Sequence, residues 1–116
     1  MHFKLLIALV DKDKTNQLMV AAREAGATGA TVIGDARGEG LTPKKTFFGL
    51  TLESQRDMLM FLVEEHLSRR ILERIAEEAD FEANPGSGVA FQLDVEDTIG
   101  LRSQINTLME EVEGEL

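Results

Sequence analysis

Two near-continuous apolar runs constrain the fold of this chain more than any other feature: Phe3 to Val10 (FKLLIALV) and Arg56 to Val63 (RDMLMFLV). Runs of this kind suit central strands covered on at least one face. A helical pattern follows each of them. After the first, Asp11-Lys12-Asp13-Lys14 breaks the apolar pattern, and Asp13 is a good helix N-cap candidate. The predicted helix runs to about Ala25, with Leu18, Met19, Ala22 and Ala25 at helical spacing and Gly26 just past its end. After the second, the spacing predicts a helix from His66 to Phe81. Its apolar stripe is Leu67, Ile71, Leu72, Ile75, Ala76 and Ala79, with Glu73, Arg74, Glu77 and Glu78 facing water.

The remaining stretches fill in the order. Thr28 to Ile33 is β-rich, with a short strand predicted over Ala30 to Ile33. It opens into a loop containing Gly34, Gly38, Gly40 and Gly49, with Thr42-Pro43-Lys44-Lys45 at its tip and an extended arm over Thr46 to Leu52. Glycine allows φ > 0 and close approach of a ligand to the main chain. A loop this long between two strands of a compact domain is usually functional or disordered. A second glycine cluster, Pro85-Gly86-Ser87-Gly88, ends the second helix. Val89, Phe91, Leu93 and Val95 then alternate with Ala90, Gln92, Asp94 and Glu96, the pattern of a half-buried strand. Thr98 to Arg102 is expected to continue or re-enter the sheet. Ile105, Leu108, Met109 and Val112 form a short amphipathic stripe. The order is βαββαβ plus an extra C-terminal helix, an α+β, ferredoxin-like sandwich. We divide it into a domain over 1–102 and a helix with an acidic tail over 103–116. That fold hosts many unrelated functions, so it does not itself name one.

Composition removes several classes. At 116 residues and 43% hydrophobic content the chain fits one globular domain. Net charge is −9, and no lysine–arginine stripe extends beyond Lys44-Lys45 and Arg69-Arg70, which argues against nucleic acid. There is no cysteine, hence no disulfide and no thiolate metal site. Leu5 to Val10 is too short to span a membrane and lacks a cleavage region, so a cytoplasmic protein is expected. His66 follows Glu64-Glu65, but His2 is the only other histidine, a poor basis for a metal site. Ser54, Ser68, Ser87 and Ser103 have no evident base partner, so no catalytic set is expected and the chain reads as a non-enzyme.

A family resemblance rests on particular residues. Gly26-Ala27-Thr28-Gly29-Ala30-Thr31-Val32, followed by Gly38-Glu39-Gly40 at the mouth of a long loop, is similar to the PII nitrogen-regulatory proteins. Those carry a G-x-T-G-x-T-V segment and a G-x-G before their T-loop. Gly86-Ser87-Gly88, the strand after it and Glu96 to Arg102 resemble the PII B-loop, last long strand and C-loop. The resemblance covers about residues 3 to 102. It implies a homotrimer with adenine nucleotides in the clefts between subunits, lined by the three loops. The bound effector changes the T-loop, which docks on a target protein such as a transporter or enzyme. By position, it implies that Gly38 and Gly40 open the T-loop, with Arg37 beside them, and that Gly86, Ser87 and Gly88 approach phosphates. Arg102 matches a C-loop arginine, and Thr31 a residue beside the adenine.

Departures from the family pattern refine the expectation. The lysines that flank the family's B-loop are absent; Asn84 and Val89 stand around the glycines, with Glu82 nearby. Arg102 is alone where two basic residues are usual. This favours ADP, AMP or a related small non-nucleotide metabolite over ATP, whose greater charge needs more cations. The chain has no tyrosine, which excludes uridylylation of a T-loop tyrosine. The family's T-loop glutamine has no counterpart between Arg37 and Gly49, where Glu39 is the nearest polar candidate. The expected function is therefore a divergent PII-like regulator that controls a partner through residues 37–52. The alternative is an interaction trimer of the same fold with a degenerate ligand site, and a small ferredoxin-like enzyme ranks last.

Overall fold

The computed structural model of the chain describes residues 1–36, 46–47, 50–51, 56–101 and 109. Its elements are β1 (Phe3–Asp11), α1 (Thr15–Glu24), β2 (Thr31–Ala36), β3 (Thr46–Phe47), β4 (Leu50–Thr51), β5 (Arg56–Glu64), α2 (Glu65–Ala79) and β6 (Gly88–Val95). Four strands form one sheet in the order β2-β5-β1-β6, and β3 pairs with β4 in a separate two-stranded sheet. Every pairing is antiparallel. The two apolar runs are the two inner strands. Each crossover through a helix skips one strand position, which makes two interleaved β-α-β units, the ferredoxin-like arrangement.

The helices share one face of that sheet. Leu6, Ala8 and Val10 of β1 and Leu59, Phe61 and Val63 of β5 are buried there against Leu18 and Ala22 of α1 and Leu67, Ile71 and Ile75 of α2. The helices also cap each other. Arg70 of α2 donates from Nε and Nη2 to the carbonyl of Ala25 at the end of α1 (3.1 and 2.8 Å). Lys14, just before α1, donates to the carbonyl of Ala79 at the end of α2 (3.0 Å). Cations at helix C-termini satisfy free carbonyls and complement the helix dipole.

The opposite face carries exposed apolar side chains among the described residues. The register places Leu93, Leu5 and Leu62 in one row, Phe91, Ile7, Met60 and Thr31 in the next, and Val89, Leu9, Met58 and Ile33 in a third. Ile33, Val89, Phe91 and Leu93 are between 39% and 49% exposed. The alternation in β6 is therefore real, but on its apolar side Val89, Phe91 and Leu93 stay exposed and Val95 packs against the chain's own core. The small Ala90 packs against that core as well.

Other expectations shift at the boundaries. Asp13 is not an N-cap: it lies inside a single 3-10 turn, Lys12–Lys14, and α1 starts after Lys14 with no side-chain cap. Gly26 does end α1, at φ +121°. Its N–H reaches the carbonyl of Arg23, and that of Ala27 reaches Ala22, the Schellman arrangement. Gly34 lies within β2 rather than in the loop, and a register shift between Ile33 and Ala36 puts Asp35 at φ +62°. α2 ends at Ala79 with Asp80 in the left-handed region. Residues 96–101 do not join the sheet; Leu101 packs on the core while Ile99 is fully exposed. Of the C-terminal stripe, Met109 is described and is 48% exposed; Ile105, Leu108 and Val112 lie outside the described residues.

Candidate functional site

One end of the sheet collects the features of interest. There β1 finishes at Asp11, β2 finishes at Ala36, β5 starts at Arg56 and β6 starts at Gly88. The register pairs Asp11 and Ala36 with Arg56, and Val10 with both Asp57 and Gly88. Both ends of the stretch from 37 to 55 thus meet on neighbouring strands, beside the Gly86–Gly88 turn.

The turn is tightly specified. The Ser87 N–H donates to the carbonyl of Asn84 (3.0 Å), and Gly86 has φ +81°. With Pro85 at the second position and glycine at the third, this is the pattern of a type II turn. A side chain on Gly88 would overlap the Leu9 carbonyl and the Phe81 ring, so only glycine fits there. Arg56 holds the turn from the sheet side. Its Nη1 donates to the carbonyl of Ser87 (2.8 Å) and its Nη2 to that of Gly86 (2.5 Å).

Acidic and hydroxyl groups surround this core. Asp57 is 5% exposed, and its Oδ2 accepts from the Thr15 hydroxyl (2.6 Å). Lys12 donates to Asp35 Oδ1 (2.7 Å), which fixes the distorted end of β2. That bond, helped by the nearby charge of Asp57, raises the Lys12 ammonium above its ordinary value. Buried polar atoms are nearly always paired. At this end of the sheet Asp11 Oδ1, Arg56 Nε, Asp57 Oδ1 and Ser87 Oγ are buried without a hydrogen-bond partner among the described residues. The turn also borders a mainly apolar groove of about 340 Å³, lined in part by Leu72, Phe81, Pro85 and Val89.

The structure brings Gly86, Ser87 and Gly88 together at this end. Thr31 is elsewhere: it is exposed on β2, the opposite edge strand from β6. Three strand spacings separate those edges, roughly 14 Å. Within one chain the two therefore stand apart, on opposite edges of the sheet. Arg37, Gly38, Glu39, Gly40 and Arg102 lie outside the described residues. Sequence reading missed Arg56 and the Thr15–Asp57 bond. The available signal was a charged pair, Arg56-Asp57, opening an otherwise apolar strand.

The Glu64-Glu65-His66 triplet turns out to be a helix start. Glu64 is the N-cap of α2. Its Oε2 accepts from the His66 backbone N–H (2.8 Å) and its Oε1 from His66 Nδ1 (2.5 Å). Both carboxylate oxygens are therefore engaged. Among the described residues these three side chains do come close enough to share an ion, but the capping role accounts for their arrangement.

The model of the nitrogen regulatory protein P-II family matches residues 3–105. The chain belongs to that family. Solved structures with this fold include CPII from Thiomonas intermedia K12, bound to ADP, AMP and acetate. It is 24% identical with a TM-score of 0.65, over 84% of this chain and 90% of that one. The apo form of CPII is matched at 25% identity and TM-score 0.62, over 82% and 90%. A PII-like signalling protein from Thermus thermophilus is 27% identical with TM-score 0.59, over 82% and 88%. No curated protein matches the chain. Family membership agrees with the ferredoxin-like element order.

Proposed function

We propose that this P-II family member is a regulatory homotrimer, not an enzyme, that binds ADP or AMP between copies. It reports that state to a partner protein through residues 37–52. The observation that carries the reading is convergence at one end of the sheet. Both ends of the 37–55 stretch sit on adjacent strands beside the Gly86–Gly88 turn, and Arg56 ties that turn to β5. A ligand there must favour one arrangement of the neighbouring stretch over another to signal anything.

Two further observations support assembly and ligand class. The sheet face away from the helices carries exposed apolar side chains among the described residues, and large exposed patches mark association surfaces. Thr31 and the glycine turn lie on opposite sheet edges, an arrangement that suits a ligand held between two copies. CPII, of the same fold, holds ADP and AMP in its structures. No helix among the described residues is long and apolar enough to cross a membrane, and we place the regulator in the cytoplasm. We take Thr31, Arg37, Gly38, Gly40, Gly86, Ser87, Gly88 and Arg102 as the ligand-facing set and 103–116 as a separate C-terminal element.

A second reading has its own support. The Arg56 guanidinium is engaged with main-chain carbonyls, and exposed Glu82 stands near the turn, so phosphate charge meets little compensation here. That favours an interaction trimer with a degenerate site. Isothermal titration with ATP, ADP and AMP, each with and without bicarbonate, separates the two. Micromolar ADP or AMP binding, tighter than ATP, is expected. No binding by any of the three sinks the sensor and leaves the scaffold.

A further inference from the structure

We propose that Arg56 is a positioning residue that shapes the Gly86–Gly88 turn for a ligand's phosphates without itself neutralising them. The proposal rests on the nucleotide reading above. Arg56 is 9% exposed, and its two Nη groups are committed to consecutive carbonyls, those of Gly86 and Ser87. A planar guanidinium can hold two acceptors in one fixed geometry; a lysine ammonium cannot impose the same fork.

The bonds act on one peptide from both sides. The unit joining Gly86 to Ser87 presents its carbonyl to Arg56 and its N–H to the carbonyl of Asn84. In a planar trans peptide these two groups point in opposite directions, so the pair of bonds fixes the plane. Arg56 reaches the turn across the last residues of β1. Asp11 is its register partner on that strand, and Val10 is that of Gly88. The turn is thus referenced to the inner strands rather than to the edge strand it belongs to. The buried, unpartnered Ser87 Oγ inherits its position from this frame. Selectivity for phosphorylated ligands then depends on backbone placement, and the positive charge of Arg56 stays with the carbonyls.

The test compares wild type with Arg56→Lys and Arg56→Gln, titrating ADP, AMP and adenosine into each full chain. Both variants are expected to weaken ADP and AMP on the order of tenfold to a hundredfold, as a displaced binding group does. Adenosine, which has no phosphate, should bind all three proteins alike. Wild-type ADP affinity in Arg56→Lys would overturn the proposal, because charge alone would suffice. Equal losses for ADP and adenosine would overturn it too, because the role would then be general folding. Failure of the wild type to bind any nucleotide removes the underlying reading and the proposal with it. Should the variants not fold, nuclear magnetic resonance of the wild-type guanidinium decides. Its Nη signals should stay separate and slowly exchanging both free and saturated with ADP; their averaging or large displacement by ADP would overturn the proposal.

Discussion

At Glu64 a carboxylate is 2% exposed, yet it is fully used: it caps α2 and holds the His66 ring. The ring takes most of its perturbation from this contact. The hydrogen bond to Glu64, its charge and that of Glu65 together raise the His66 imidazole above its ordinary value of about 6.5. A raised folded-state value means that protonated His66 favours the folded chain. The contribution is fully present below the unfolded value and is lost as pH rises through the folded one. Thermal midpoints should therefore fall as pH climbs from about 6 through the raised value. His66→Gln keeps the backbone N–H that Glu64 caps but removes the titrating ring. Its midpoint should vary less across that window than the wild type's, measured by circular dichroism at fixed protein concentration. Equal pH slopes for the two proteins would show that other groups set the dependence.

Among the elements, the inner strands and both helices were legible because their signals are local. Apolar runs mark β1 and β5, and 3.6-residue stripes mark α1 and α2. What was not legible depended on partners distant in sequence. The alternation of β6 gave its period but not its side: the large residues Val89, Phe91 and Leu93 stay exposed, while Ala90 and Val95 pack against the core. Asp13 had the right chemistry for a cap, but the 3-10 turn moved the helix start past it. Arg56 was a cation at the head of a strand, and its bonds to residues thirty positions away appear only in the fold. Gly26 was read correctly because a C′ glycine is a local requirement. Its geometry allows a quantitative expectation. A Cβ there would enter the left-handed region at φ +121° and press on Leu67 Cδ1 at 3.2 Å. Gly26→Ala should destabilise the fold by about 1–2 kcal/mol from the backbone alone, seen as a lower urea midpoint with an unchanged slope. A midpoint within error of the wild type's would mean that the end of α1 relaxes without loss.

For the whole molecule, the exposed apolar sheet face and the proposed site lead to the same test, that of assembly. Leu93 is 49% exposed in the single chain, so Leu93→Asp should leave the isolated fold close to intact. In an assembly built on this face the same change acts in every copy. Each forfeits roughly 2 kcal/mol of apolar burial and places a carboxylate where desolvation costs several kcal/mol more. Sedimentation equilibrium of the wild type should give about three times the 12.8 kDa chain mass, and Leu93→Asp a single chain mass with unchanged far-ultraviolet dichroism. Val20→Asp is the control: Val20 is 50% exposed, but it lies on α1, on the helix side of the sheet, and its variant should remain assembled. The ligand follows the assembly. With Thr31 on β2 and the glycine turn at β6, a lone chain offers only part of the proposed site at either edge. Leu93→Asp should therefore lose ADP binding although it alters none of the residues assigned to the ligand, whereas Val20→Asp should keep it. A single-chain Leu93→Asp that still binds ADP with wild-type affinity would place the whole site within one copy and separate assembly from sensing.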